Sequence, residues 1–290
     1  MLVAGIPKPR SKFTKFYFYF MRFFGPFLIF FLSFVCSAYY IMKTYYKQYK
    51  ASADGLIRKQ YFISMAILIF PSLMVIISLG YTILGDPGTT KESIRRYKDR
   101  DNFITQSFLD SLPRCTKCGL PKPPRAHHCH VCGRCHLKMD HHCPSIGTCI
   151  ALWNQQPFIV MLQWASIEIV FHIIATAIYS CITQSKEEKI FNMLASFALI
   201  ISFFALLGFN SNIMKRLHDN TTIIEESNGE YKKYDIGREE NVRQVFGSGK
   251  FRYYIPRYPA MTGFEWSLDE YCRHFPNNRN DSVQVIFPTI

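Results

Sequence analysis

The chain has 290 residues, 49% of them hydrophobic, with 26 Phe, 17 Tyr and a formal net charge of +13. Long apolar runs together with this aromatic excess exclude an ordinary soluble globular domain. They also set nucleic acid aside as the partner of the basic charge, in favour of anionic lipid headgroups and other phosphate-bearing partners.

In chain order, residues 1–22 form a basic N-terminus (Lys8, Arg10, Lys12, Lys15, Arg22). It leads into an apolar run, Phe23–Met42, that exceeds a signal-peptide core, lacks a clear cleavage site and reads as an uncleaved first span. A second run, Phe62–Leu84, closes a segment 23–84 that holds two predicted spans and a short lumenal loop. Residues 85–157 are rich in Cys, His and Pro, and 158–214 carry two further runs, Phe158–Ile182 and Ile190–Ile213. Residues 215–290 form a tail with an amphipathic stretch, Asn241–Phe246, and a polar end after Phe275. Each run is near the ~20 residues that cross a bilayer. Of the 34 Lys and Arg, 27 fall in the N-terminus, the Cys-rich loop and the tail, and 7 in the other two loops. The positive-inside rule therefore puts both termini and the Cys-rich loop in the cytosol, with the basic loop Lys43–Lys59 dissenting.

Seven of the ten cysteines and six of the nine histidines lie between Cys115 and Cys149. Cys115, Cys118, His128 and Cys135 read C-x2-C-x9-H-x6-C, and a shift of fourteen residues repeats every interval in Cys129, Cys132, His142 and Cys149. Each set is a candidate closed tetrahedral Cys3His zinc site. In a reducing cytosol such thiols hold metal rather than pair as disulfides. A loop of this size has room for only a small apolar core, so metal is expected to hold it together. The predicted fold class is an α-helical integral membrane protein. Four transmembrane helices flank a cytosolic zinc-stabilised cysteine-rich domain between the second and third.

The two sets leave Cys143 over, within Asp140-His141-His142-Cys143. One plain reading makes Cys143 a ligand and another cysteine the spare. Against it, the residue three beyond Cys143 is Ile146, so the repeat does not continue there. Another plain reading is a zinc-stabilised adaptor with an inert thiol. As a nucleophile, Cys143 needs a base to take its proton and a carboxylate to orient that base. With His142 given to zinc, His141 is the candidate base and Asp140 its partner, if ligation of His142 turns the chain to suit.

These residues resemble the DHHC protein S-acyltransferases, or palmitoyltransferases. Asp86-Pro87-Gly88 is similar to the family's DPG motif and Thr221-Thr222 with Glu225 to its TTxE motif, with Glu225 one residue late if both threonines are aligned. Tyr234-Asp235-Ile236-Gly237, Asn241 and Val245-Phe246-Gly247 resemble its tail motif. The resemblance implies that Cys143 takes a long-chain acyl group from acyl-CoA and passes it to cysteines of cytosolic-facing protein substrates. It gives His141 as general base and Asp140 as its polarising partner, and puts the acyl chain between the four helices. It also implies two structural Zn2+ ions, CoA-phosphate contacts at Lys122, Arg125 and Lys138, and residence in the Golgi or endoplasmic reticulum. Three positions depart from the family pattern: Ser145 stands for its Trp, Thr148 for its Asn and Ala151 for its Gly. They motivate the alternative of a catalytically weak scaffold or adaptor. Elsewhere, Glu168 and His172 share one helix face as a paired polar contact between spans, and Trp153, Tyr39 and Tyr40 suit an interfacial aromatic belt. Cys36, Cys181 and Cys272 read as packing residues.

Overall fold

The computed structural model describes residues 55–98, 104–182 and 185–266, with single positions at 20, 24 and 50. The first predicted span, with Cys36, Tyr39 and Tyr40, lies outside the described residues, as do Cys272 and the polar end. The elements are α1 (Gly55–Leu84), α2 (Thr90–Tyr97), α3 (Gln106–Ser111), β1 (His127–Cys129), β2 (Arg134–His136), β3 (His141–Cys143), β4 (Thr148–Ile150), α4 (Gln155–Ile182), α5 (Lys186–His218), α6 (Ile223–Ser227) and α7 (Arg238–Phe246).

The apolar runs form the long helices, with shifted ends. α4 begins at Gln155 rather than beyond Pro157, because a proline in a helix's first turn gives up an N–H that has no partner there anyway. α5 outruns its apolar stretch at both ends. Glu187 and Glu188 in its first turn and Lys215, Arg216 and His218 in its last complement the helix dipole. Among the described residues two helices, over Gln155–Ile178 and Lys186–His218, are long and apolar enough to cross a membrane.

The described chain divides into two compact units. Of the described residues, one comprises 55–79, 159–182 and 185–214, and within it polar groups tie the helices together. Ser72 Oγ donates to Glu168 Oε1 at 2.7 Å, His172 Nε2 lies 3.9 Å from the same oxygen, and Asn210 Nδ2 donates to Ser166 Oγ at 3.0 Å. In an apolar medium such groups find one another, because an unmet donor is costly.

The other unit joins 80–98 and 104–158 to the tail over 215–266. Its core is not metal alone. Ala126, Leu137, Leu152 and Trp153 pack with Met261 and Trp266 from the tail, and Phe264 joins Ile104 and Leu109. Trp153 is 3% exposed, its Nε1 donates to Met261 O at 2.8 Å, and Arg96 lies over its ring. It is a core residue and not part of an aromatic belt, because the tail supplies both its apolar neighbours and its acceptor.

Asp86-Pro87-Gly88 forms the corner between α1 and α2. Asp86 Oδ1 accepts from the Gly88 and Thr89 N–H groups, and Thr89 caps α2 by accepting from Glu92 N. Gly88 has φ 100°, and a Cβ there would lie 3.2 Å from Leu152 Cβ. Its carbonyl accepts from Leu137 N and that of Pro87 from Trp153 N, so the corner is stitched to the cysteine-rich chain.

Candidate functional site

The cysteine-rich chain folds as two antiparallel hairpins, β1–β2 and β3–β4. Their registers carry the fourteen-residue repeat into space: His128 faces Cys135 in the first, His142 faces Cys149 in the second. Each hairpin thus brings the last two ligands of one set together. The sets interlock, because neighbouring residues of a strand point to opposite faces. His128 turns to the first set and Cys129 to the second.

Each set draws its four ligand atoms within 4.8 Å of one another. In the second, His142 Nδ1 lies 3.7, 3.4 and 3.6 Å from the Sγ atoms of Cys129, Cys132 and Cys149, and Cys132 Sγ lies 3.5 Å from Cys149 Sγ. In the first, His128 Nδ1 lies 3.7 and 3.8 Å from Cys115 and Cys135 Sγ, and Cys118 Sγ lies 3.6 Å from Cys135 Sγ. A tetrahedron with Zn–S near 2.3 Å and Zn–N near 2.0–2.1 Å has edges of about 3.5–3.8 Å. Both sets have the donor chemistry and spacing for zinc.

Cys143 belongs to neither set. It ends β3, where the period of two places it on the face of His141 while His142 turns to the metal set. Strand alternation, not a turn, brings His141 and Cys143 to one face, with the thiol close enough to act on the charge of the imidazole. Asp140 Oδ2 accepts from His141 Nδ1 at 2.7 Å, which leaves Nε2 for the thiol. Burial alone would lower the His141 pKa. The hydrogen bond with Asp140, and then the nearby Cys143 thiol, more than offset it, raising the imidazole to about 9 and favouring its charged form. The ring of Phe158 packs edge-on against His141, with centroids 6.0 Å apart.

Asp140 is itself held from the tail. Its Oδ1 accepts from the Ile223 N–H at 2.9 Å, at the first turn of α6. That turn carries a capping box: Thr222 Oγ1 accepts from Glu225 N, and Glu225 Oε2 accepts from Thr222 N. The box needs the acid three residues after the cap, with two between, so the place of Glu225 after Thr222 is the one the helix requires.

Glu225 also pairs with Arg125, whose Nε and Nη2 donate to its two oxygens at 2.7 and 2.9 Å. Arg125 further donates to Asn220 Oδ1 and O, and its guanidinium lies between the Tyr234 and Trp266 rings at 4.4 and 4.7 Å. Its side chain is 0% exposed. Sequence reasoning missed this use of Arg125. The capping-box spacing was the available signal for Glu225, but nothing local marks an arginine whose partner lies a hundred residues on. Lys138 is also buried; burial, then the charge of Arg125, pushes its pKa down to about 7. Lys122 is half-buried. Asn241, in α7, donates to His218 O and Asp235 Oδ1, which joins the tail motif to the end of α5.

The profile of the DHHC palmitoyltransferases matches residues 110–230, which span both hairpins, the leftover thiol and α6. The chain is 33% identical over 214 residues to the probable protein S-acyltransferase 12 of Arabidopsis thaliana, covering 67% of this chain and 74% of that protein. This chain is a member of the DHHC palmitoyltransferase family. Probable protein S-acyltransferase 13 of the same plant is 35% identical over 70% of this chain and 77% of its own length. The palmitoyltransferase ZDHHC2 of Homo sapiens is 28% identical over 59% of this chain and 50% of its own. The DHHC tetrapeptide of the family name is Asp140-His141-His142-Cys143 here. Its third residue faces the metal set, while the first is hydrogen-bonded to the second and the fourth lies on the second's face of the strand.

Proposed function

We propose that this chain is a protein S-acyltransferase that moves a long-chain acyl group from acyl-CoA, through a thioester on Cys143, to cysteines of cytosolic-facing protein substrates. One observation carries the reading. In a family whose relatives are named S-acyltransferases, the thiol outside both metal sets shares a strand face with a histidine that a carboxylate orients.

In the first step the Cys143 thiolate attacks the thioester carbonyl carbon, the carbon–sulfur bond to CoA breaks, and the leaving CoA sulfur takes the proton held by His141. In the second, His141 takes the proton of a substrate cysteine, whose sulfur attacks the Cys143 thioester and expels the Cys143 thiolate. One thioester replaces another in each step, so the protein's task is activation and placement. Asp140 keeps the imidazole in the tautomer with Nε2 toward sulfur and stabilises its charged form. The two sets, Cys115, Cys118, His128, Cys135 and Cys129, Cys132, His142, Cys149, would hold zinc as structural ions.

Of the basic residues expected at the CoA end, Lys122 keeps the role of phosphate contact. Arg125 is committed to Glu225 and serves as the brace behind Asp140. Lys138, buried and with its pKa pushed down to about 7, makes a poor phosphate ligand. The four-span arrangement, with both termini cytosolic, the acyl chain between the helices and residence in the Golgi or endoplasmic reticulum, completes the reading. It is supported by the apolar runs and the positive-inside count.

Incubation with a long-chain acyl-CoA analogue should give hydroxylamine-sensitive label on the parent and none on Cys143→Ser. Equal labelling of the two would remove the enzymatic reading.

A further inference from the structure

The tail segment 247–258 exposes large apolar side chains without being loose. Phe251 is 68% exposed, Ile255 53%, Tyr254 49% and Tyr258 41%. Yet the buried Gln156, in the first turn of α4, holds this segment at three points. Its Nε2 donates to Arg252 O and Ile255 O at 3.0 and 2.8 Å, and its Oε1 accepts from Arg257 N at 2.8 Å. Tyr253 packs inward on the buried Phe246, and Pro256 is buried. A segment fixed in this way turns Phe251 and Ile255 outward, with no covering among the described residues.

Two observations say what covers it. First, it is attached where apolar helices end: to Gln156 at the start of α4, and to α1 through Tyr258, whose hydroxyl donates to Tyr81 O at 2.7 Å. The Tyr258 and Tyr81 rings are in contact, with centroids 5.5 Å apart, and Tyr81 continues an exposed apolar row with Ile77 and Leu84 on α1. The loop thus meets α1 at Tyr81, close to the end of that helix at Leu84. Secondly, there is no Asp or Glu from Asn241 to Phe264, while Lys250, Arg252 and Arg257 fall among the aromatic residues. Arg252 and Arg257 donate to the backbone oxygens of Gly247, Phe246 and Ser248. Among the described residues none of the three cations pairs with a carboxylate. Aromatic side chains with interleaved cations match the headgroup layer of an anionic leaflet.

We infer that the 247–258 loop is an interfacial lipid-binding element, with Phe251, Tyr254 and Ile255 seated among the headgroups and Lys250, Arg252 and Arg257 facing anionic lipid phosphates. The inference rests on the reading that α1 and α4 span a membrane. Its consequence is that the tail, which supplies both Trp266 and α6 to the site, is attached to the bilayer surface as well as to the spans.

The test uses the full chain in nanodiscs of equal parts phosphatidylcholine and phosphatidylserine, with the photoactivatable p-benzoylphenylalanine in place of Ile255. After illumination, lipid adducts are sought by mass spectrometry on the tryptic segment Tyr253–Arg257. The expected result is a lipid adduct with phosphatidylserine in excess. Lys250→Gln should lower the phosphatidylserine-to-phosphatidylcholine ratio about fivefold, equivalent to about 1 kcal/mol for one cation at an anionic surface. The same probe at Phe204, exposed on α5, reports on the membrane reading itself, and one at the exposed Ser111 on α3 reports on non-specific labelling. Lipid labelling at Phe204 with none at Ile255 overturns the inference and leaves the membrane reading standing. So do equal labelling at Ser111, a cross-link to a second copy of the chain, or a ratio unmoved by Lys250→Gln. Loss of labelling at Phe204 overturns both.

Discussion

Glu225→Gln is the sharpest test of how the tail holds the active site. Glu225 is 2% exposed; its oxygens accept from Arg125 Nε and Nη2 at 2.7 and 2.9 Å and from Thr222 N at 2.9 Å. Glutamine keeps the volume but exchanges one acceptor for an NH2 group, which must face either the guanidinium or the Thr222 N–H. Arg125, with a side chain 0% exposed, is left charged without a counter-ion. Removing one partner of a buried pair costs about 3–5 kcal/mol. For a domain of this size that lowers the thermal midpoint by roughly 10 °C. Because Asp140 takes its second hydrogen bond from the turn that Glu225 caps, acylation of Cys143 should also slow at temperatures where the variant is still folded. Melting and hydroxylamine-sensitive labelling would be followed on the same purified protein, with metal content measured to show that both ligand sets remain. Arg125→Met combined with Glu225→Leu should recover much of the midpoint, since the isolated charge is then gone, while leaving acylation slow. A Glu225→Gln protein that melts within about 2 °C of the parent and acylates normally would refute the brace.

Cys143→Ala should retain two metal ions per chain and lose acylation, whereas Cys132→Ser should lose one ion and acylation together; a single ion in Cys143→Ala would mean the ligand sets are misassigned. Asp140→Asn, which removes the carboxylate from His141, should slow acylation by about 10^2–10^4-fold with metal content unchanged, and a rate within a few-fold of the parent would deny Asp140 its orienting role. Lys138 has a folded pKa near 7, below its ordinary value of about 10.4, so between those pH values the unfolded chain holds a proton that the folded chain has released. Its contribution to stability therefore rises with pH across that window. Lys138→Met should flatten the slope and raise the thermal midpoint at pH 7, and a variant melting lower than the parent at pH 7 would contradict it.

The metal sets were legible because ligand spacing survives folding. The interval of fourteen residues becomes one hairpin after another in the same register, His128 with Cys135 and His142 with Cys149. The strands themselves were not legible, since three residues are too few for a period of two to show. So the sequence points to His141 and Cys143 as partners through a turn at His142, where the strand brings them to one face by alternation. Arg125 was misread for a related reason. A basic residue carries no local mark of burial, and its two rings and its carboxylate come from Tyr234, Trp266 and Glu225, all far along the chain. Trp153 was assigned to an interface from its place next to an apolar run, but the tail had already claimed it for the core.

The position of His142 between the two residues proposed for catalysis would explain why a thioester chemistry without a metal step is built on candidate metal ligands. A three-residue strand in a two-stranded hairpin has almost no stability of its own. Clamping His142 to the second set fixes its direction, and the pleat then fixes His141 and Cys143 in the opposite one, with no further side chains spent on aiming them. What the pleat does not set is the rotation of the imidazole about its own bonds. That falls to Asp140, and through Ile223, Glu225 and Arg125 to the tail. Metal and tail thus control different degrees of freedom of one site: loss of the ion should scatter the thiol and the base together, whereas loss of the brace should leave them adjacent but misaligned.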